Sequence, residues 1–152
     1  MDVRTEKGVY DTSSSQTLYL FVDVKTEGDT TSPHVIKYLE PLQASEYLTI
    51  YNGMAVPAGP VTAIGAGNPP LDQVQGVSNA ARPRCWFYDA PIPMLNSILS
   101  NTTAEVSSIA STDFAEQFGN VRDETFNTTQ LAPLEAEVNI AHSKDIAVRY
   151  WN

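Results

Sequence analysis

The sequence predicts an α/β fold built on parallel strands, and three features of it lead there. Leu18-Tyr19-Leu20-Phe21-Val22-Asp23-Val24-Lys25 begins as an unbroken apolar and aromatic run, the pattern of a strand buried on both faces of a parallel sheet. A polar loop and a helical periodicity follow it, which is the first half of a β-α-β unit. The same theme, an apolar run ending in an acid, returns at Cys85-Trp86-Phe87-Tyr88-Asp89 and more weakly over 106–113.

Taken in order, residues 1–16 are rich in Ser, Thr and Asp and read as a polar lead-in, leaving 17–152 as the domain. The first strand covers 17–25. After Thr26-Glu27-Gly28-Asp29, the capping residues Thr30, Thr31 and Ser32 precede Pro33, which suits the first turn of a helix. Val35, Tyr38, Leu39 and Leu42 recur at helical spacing and place that helix at about 32–45. Tyr47-Leu48-Thr49-Ile50-Tyr51 alternates as a strand before the turn signal Asn52-Gly53.

A further short strand, 60–65, ends in a glycine- and proline-rich stretch. Its Gly65-x-Gly67 pair lacks the third glycine and following helix of a dinucleotide loop, so it reads as a strand breaker. Residues 68–84 form an irregular connector. The strand at 85–89 is stopped by Pro91 and Pro93, and the one at 106–113 leads into a short helix ending at Gly119. A helix over about 129–144 carries Leu131, Leu134, Val138 and Ala141 on one stripe with Pro133 in its first turn, and a last strand covers 146–152.

Composition narrows the function. A chain of 152 residues, 42% hydrophobic, is long enough for one domain with a real core. A net charge of −9 with scattered Lys and Arg excludes nucleic acid and anionic membrane surfaces as partners. No stretch approaches the ~20 apolar residues of a transmembrane helix, and residues 1–7 do not form a secretory signal. Asn101-Thr102-Thr103 and Asn127-Thr128-Thr129 are N-x-T sequons, which leave a secretory-pathway location open. With Cys85 as its one cysteine the chain forms no internal disulfide, and this thiol reads as a buried structural group, with a reactive one as the alternative.

The candidate chemistry lies with Asp23 and Lys25. Two residues apart on an extended chain, they point to the same side, at the carboxyl end where α/β folds bind their ligands. A buried charge costs several kcal/mol unless it is paired or coordinated. Two arrangements answer that cost: a hard divalent cation, Mg²⁺ or Ca²⁺, on the carboxylate, or an internal Asp23–Lys25 ion pair. In the first, Lys25 neutralises a phosphate oxygen as a point charge. Neither His34, placed at the start of a helix, nor His142, in the last turn of another, stands at a strand end, and no GxSxG elbow occurs.

Leu20-Phe21-Val22-Asp23-Val24-Lys25 resembles the strand of glycerophosphodiester phosphodiesterases and their phosphatidylinositol phospholipase C-like relatives. Residues 141–152, ending in Trp151-Asn152, resemble their late helix and strand. The order of Thr17 to Lys25, Thr26-Glu27-Gly28-Asp29, Pro33 to Leu39, Ile109-Ala110-Ser111-Thr112-Asp113-Phe114 and Val148-Arg149-Tyr150-Trp151 resembles the fungal altered-inheritance-of-mitochondria proteins of that superfamily.

The resemblance implies a partial TIM-type (β/α) barrel with outer helices, whose first strands lie outside this chain. It implies Asp23 as a metal-binding acid for Mg²⁺ or Ca²⁺, and Lys25, Asp113 and Trp151 as phosphate- or substrate-binding residues. The partner it implies is a phosphodiester or lipid head group. The family's catalytic histidine segment and E-x-D strand are absent here, so no catalytic residue is assigned. The expected product is a truncated or degenerate homologue of a phosphoric diester hydrolase, inactive alone and prone to self-associate through exposed strand edges. A non-catalytic binding or structural protein that keeps the strand-end pocket is the alternative.

Overall fold

The computed structural model describes residues 8–76, 83–121 and 125–152. The readings of residues 1–7 and of 77–82 in the connector therefore lie outside the described residues. The chain is α/β and divides into two compact units, 1–88 and 89–152. Its five strands, β1 (Leu18–Val24), β2 (Val61–Gly67), β3 (Trp86–Pro91), β4 (Ile109–Asp113) and β5 (Ala147–Trp151), pair in chain order. Every pairing is parallel. Strand β3 crosses the boundary between the units: Trp86, Phe87 and Tyr88 pair with β2, and Asp89, Ala90 and Pro91 with β4.

In the first unit β1 pairs along its whole length with β2, Leu18 opposite Val61 and Val24 opposite Gly67. Helix α1 (Gly28–Ala44) connects them, and α2 (Leu71–Gln75) follows β2. The core gathers Val24, Leu39, Leu48, Ala63, Cys85 and Trp86. In the second unit a 3₁₀ turn, Ile92–Met94, follows β3, and helices α3 (Phe114–Phe118) and α4 (Thr128–His142) connect β4 to β5. Phe114 gathers Phe118, Phe126 and Tyr150 at ring-centroid distances of 5.1, 5.6 and 5.9 Å.

Four sequence expectations are corrected. β1 is not buried on both faces: Leu18, Tyr19 and Leu20 are exposed, and among the described residues β2 is the one strand paired with it. Residues 47–51 make isolated bridges, Leu48 to Val61 and Tyr51 to Arg84, in place of a strand. Gly65 does not break β2 but lies inside it, where a Cβ would fall 2.6 Å from the Trp86 ring.

Both long helices also begin a turn before their prolines. The Glu27 carboxylate accepts from the Asp29 and Thr30 amides at 3.0 and 2.8 Å and starts α1 five residues ahead of Pro33. Asn127 and Gln130 close a reciprocal capping box at the start of α4, leaving Pro133 in the second turn. In each case a side chain that binds the first free amides outweighed the proline signal.

Candidate functional site

At the carboxyl end of β1, Asp23 and Lys25 do emerge on the same side and form an ion pair, Nζ to Oδ2, of 2.7 Å. Their side chains are 51% and 81% exposed, the lysine more than the acid. The desolvation cost that singled them out is therefore small, and solvent screens their attraction. Gly67 closes the end of β2 against this pair. Its φ of 77° is a left-handed conformation, and a Cβ there would meet the Val24 carbonyl at 2.5 Å and Asp23 Oδ1 at 2.6 Å. Only glycine lets the β2 turn approach β1 this closely, and the Asn68 amide then donates to the Val24 carbonyl at 2.9 Å.

Beside the pair opens a cleft of about 580 Å³, lined by Lys25, Glu27, Asp29, Asn68, Pro70 and Asp72 among others. The start of α1 faces it, yet those amides are not open to an incoming anion, since Glu27 already occupies them. The Asp29 amide first, and then Thr30, hold the Glu27 carboxyl below its usual range. Gln73 on α2 donates to Asp29 at 2.9 Å and ties the far wall of the cleft to α1. The lining thus offers one cation against three carboxylates.

The second unit contains an acid of opposite character. Asp89, near the middle of β3, has its pKa pushed up to about 6, chiefly by burial. The Ser111 hydroxyl, the Arg149 charge and the Ser111 amide oppose that rise without cancelling it. Strand register explains the grouping, since Ser111 of β4 pairs with Pro91 on one side and Arg149 on the other. Asp89 Oδ1 and Ser111 Oγ close no direct hydrogen bond among the described residues. Sequence reasoning noted Asp89 as a repeat of the β1 theme but assigned it no role. The missing signal was register, which brings Asp89, Ser111 and Arg149 to one face of three adjacent strands.

Asp113 and Trp151 stand opposite each other at the ends of β4 and β5. Asp113 is buried and already engaged: it accepts from the Glu116 amide at 3.1 Å, capping α3, and from Asn152 Nδ2 at 3.1 Å. Trp151 is exposed. Tyr150, next to Trp151 on β5, donates to Glu137 at 3.0 Å, and burial followed by this contact raises its pKa.

His34 lies in the second turn of α1 and His142 in the last turn of α4, both exposed. Cys85 is a free, buried thiol with its pKa raised by burial. Asn127 of one sequon is the α4 cap, which gives that asparagine a structural reason. Among the described residues no group of three or more His, Cys, Asp or Glu side chains can hold a metal ion. Asp23 belongs to no such group among the described residues.

Residues 1–89 match the AIM6-like phosphodiesterase domain. The chain belongs to this phosphodiesterase family. Over 151 residues it is 42% identical to the altered inheritance of mitochondria protein 6 homolog of Arthroderma benhamiae, a match covering 97% of this chain and 46% of that relative. The chain therefore spans about half the length of the curated relative it matches. No solved structure matches it. The AIM6-like match takes in the whole mouth of β1, with Asp23, Lys25 and Gly67, and ends at Asp89. No described helix is long and apolar enough to cross a membrane.

Proposed function

We propose that this chain carries the phosphate-facing end of a phosphoric diester hydrolase of (β/α)-barrel type, acting on glycerophosphodiester or phosphoinositide-like lipids. The observation that carries the reading is the Asp23–Lys25 pair at the carboxyl end of a parallel strand, beside a cleft of about 580 Å³, in a phosphodiesterase-family chain. Parallel strands in simple chain order support a barrel over a doubly wound sheet, whose order reverses at a switch point.

In this reading Lys25 neutralises a phosphate oxygen, and Asp23 is one ligand of Mg²⁺ or Ca²⁺, the others coming from outside the described residues. Such a cation polarises the phosphoryl oxygen when bound. Three carboxylates against one lysine in the cleft support a need for it, because a phosphodiester anion meets net negative charge there. Asp113 and Trp151 are proposed as substrate-facing residues of the second unit. Turnover is proposed to depend on residues from the remainder of the longer relatives, since neither histidine here stands at a strand end. The exposed Leu18, Tyr19 and Leu20 along β1 support self-association of the isolated chain, read by light scattering as a mass that grows with concentration.

Calorimetric titration with Mg²⁺ and Ca²⁺ tests the metal role. Binding by the parent chain that weakens at least tenfold in Asp23→Ala supports it, and equal binding by both removes it. A second reading, a non-catalytic binding protein, is favoured by the closed ion pair and by the self-capping of Glu27, which leave both groups satisfied without a ligand. Full-length relatives that bind a glycerophosphodiester but never cleave it would establish that reading.

A further inference from the structure

Two N-x-T sequons take no part in the phosphodiester chemistry, and the fold treats them differently. At Asn127-Thr128-Thr129 the sequon is closed on itself. Asn127 Oδ1 accepts from the Gln130 amide at 3.0 Å and from the Thr129 hydroxyl, while the Asn127 amide donates to Gln130 Oε1 at 3.1 Å. The side-chain carbonyl and the sequon hydroxyl are both committed to starting α4.

Asn101-Thr102-Thr103 lies in the run of turns between the 3₁₀ turn and β4. Asn101 and Thr103 are exposed, with Thr102 buried between them. The backbone here is held on both sides. The Thr102 amide donates to the Leu99 carbonyl at 2.9 Å, and the Val106 and Ser107 amides donate to the Thr103 carbonyl at 3.0 Å. Lys144, just past α4, donates to the Ser100 carbonyl. Neither the Asn101 side chain nor the Thr103 hydroxyl takes part in a hydrogen bond among the described residues. An ordered surface turn thus carries both groups that an N-x-T acceptor must offer, and the fold uses neither.

Two further features suit a glycan at this place. Ile98, three residues before Asn101, is 80% exposed, and a bulky hydrated sugar would screen such apolar surface. Cys85 is the one thiol of the chain and is buried, so folding in an oxidising compartment exposes no sulfur to unwanted pairing.

We propose that Asn101 is an N-glycosylation site of this chain and that Asn127 is not. In the transfer, Asn101 Nδ2 attacks the anomeric carbon of an oligosaccharide carried on a lipid pyrophosphate. The new N–C bond replaces the C–O bond to phosphate, the amide gives up one proton, and the lipid pyrophosphate leaves with the bonding pair. A capping box needs only four consecutive residues and closes as α4 begins to form, whereas Asn101 stays open in the finished fold. The site is independent of the phosphodiester reading.

The 152-residue chain is routed through the secretory pathway of a yeast host behind a cleavable leader. Its mobility is compared before and after peptide-N-glycosidase, in cell-associated and secreted fractions alike. The expected result is one enzyme-sensitive shift, with residue 101 recovered as aspartate by mass spectrometry. That shift is lost in Asn101→Gln and in Thr103→Ala, which keeps the asparagine but removes the sequon hydroxyl, and it is retained in Asn127→Gln. Both replaced side chains at 101 and 103 are exposed and bond to nothing in the fold, so the melting temperature of the enzyme-treated variants stays parental. A chain that shows no enzyme-sensitive shift overturns the proposal. A shift that survives in Asn101→Gln, or one that disappears in Asn127→Gln, overturns it as well.

Discussion

Asp23 and Asp89 make an instructive pair, because the sequence presents them alike and the fold treats them in opposite ways. Each follows an apolar run on a parallel strand. Asp23 sits on β1, exposed and neutralised at 2.7 Å by Lys25. Asp89 sits on β3, flanked by β4, where burial outweighs the help of Ser111 and Arg149 and drives its pKa to about 6. An acid two residues from a lysine is satisfied locally and needs nothing from the fold, whereas one without such a neighbour takes its character from whatever the register brings alongside.

The largest separation between the two should appear in the pH dependence of stability. Folding raises the Asp89 pKa from 3.8 to about 6, so between those values the folded chain holds more protons than the unfolded chain. Stability is then full below about pH 4 and declines as pH rises through 6. A rise of that size, reduced for the partial access of solvent, corresponds to on the order of 2 kcal/mol. Urea denaturation at a series of pH values should show that decline in the parent chain and lose it in Asp89→Asn. Asp23→Asn should leave the slope in place, and a slope carried by Asp23 would break the comparison.

A smaller effect belongs to Asp113, the third acid at a strand end. It caps α3 and accepts from Asn152, so Asp113→Ala should destabilise the chain by about 1 kcal/mol. Asp113→Asn, which keeps an accepting oxygen, should recover most of that in the same denaturation assay. Smallest is the coupling between Asp23 and Lys25. A double-mutant cycle through Asp23→Ala and Lys25→Ala should return less than about 1 kcal/mol, falling further in roughly 0.5 M salt. A coupling several times larger, and insensitive to salt, would mean the pair is enclosed in solution.

These cases show what could be read from the sequence. Residue types and periodicity placed all five observed strands near their positions and added a sixth at 47–51 that makes only isolated bridges, since a buried or half-buried strand must be apolar wherever the chain places it. The family was legible from the ordered strings around Lys25, Asp113 and Trp151, and the AIM6-like match agrees. Exposure of β1 was not legible, because burial depends on the neighbours a strand acquires and not on its own composition. Glu27 and Asn127 escaped notice as helix starts because proline and Ser/Thr signals lay nearby and pulled the predicted caps inward. Asp89, Ser111 and Arg149 are far apart in the chain, and no spacing rule links them before β3, β4 and β5 come into register.

The sequential order of the strands has a consequence for how such a chain forms. Each pairing, β1 with β2, β2 with β3, β3 with β4 and β4 with β5, joins strands separated by a single connection. Each loop closure spans one crossover at a time, as from Leu18 to Val61 or from Ile109 to Ala147, and parallel pairing across such connections is slower than forming a helix or a hairpin. During synthesis on a ribosome each new strand finds its template already made, so the sheet can lengthen by accretion as residues emerge.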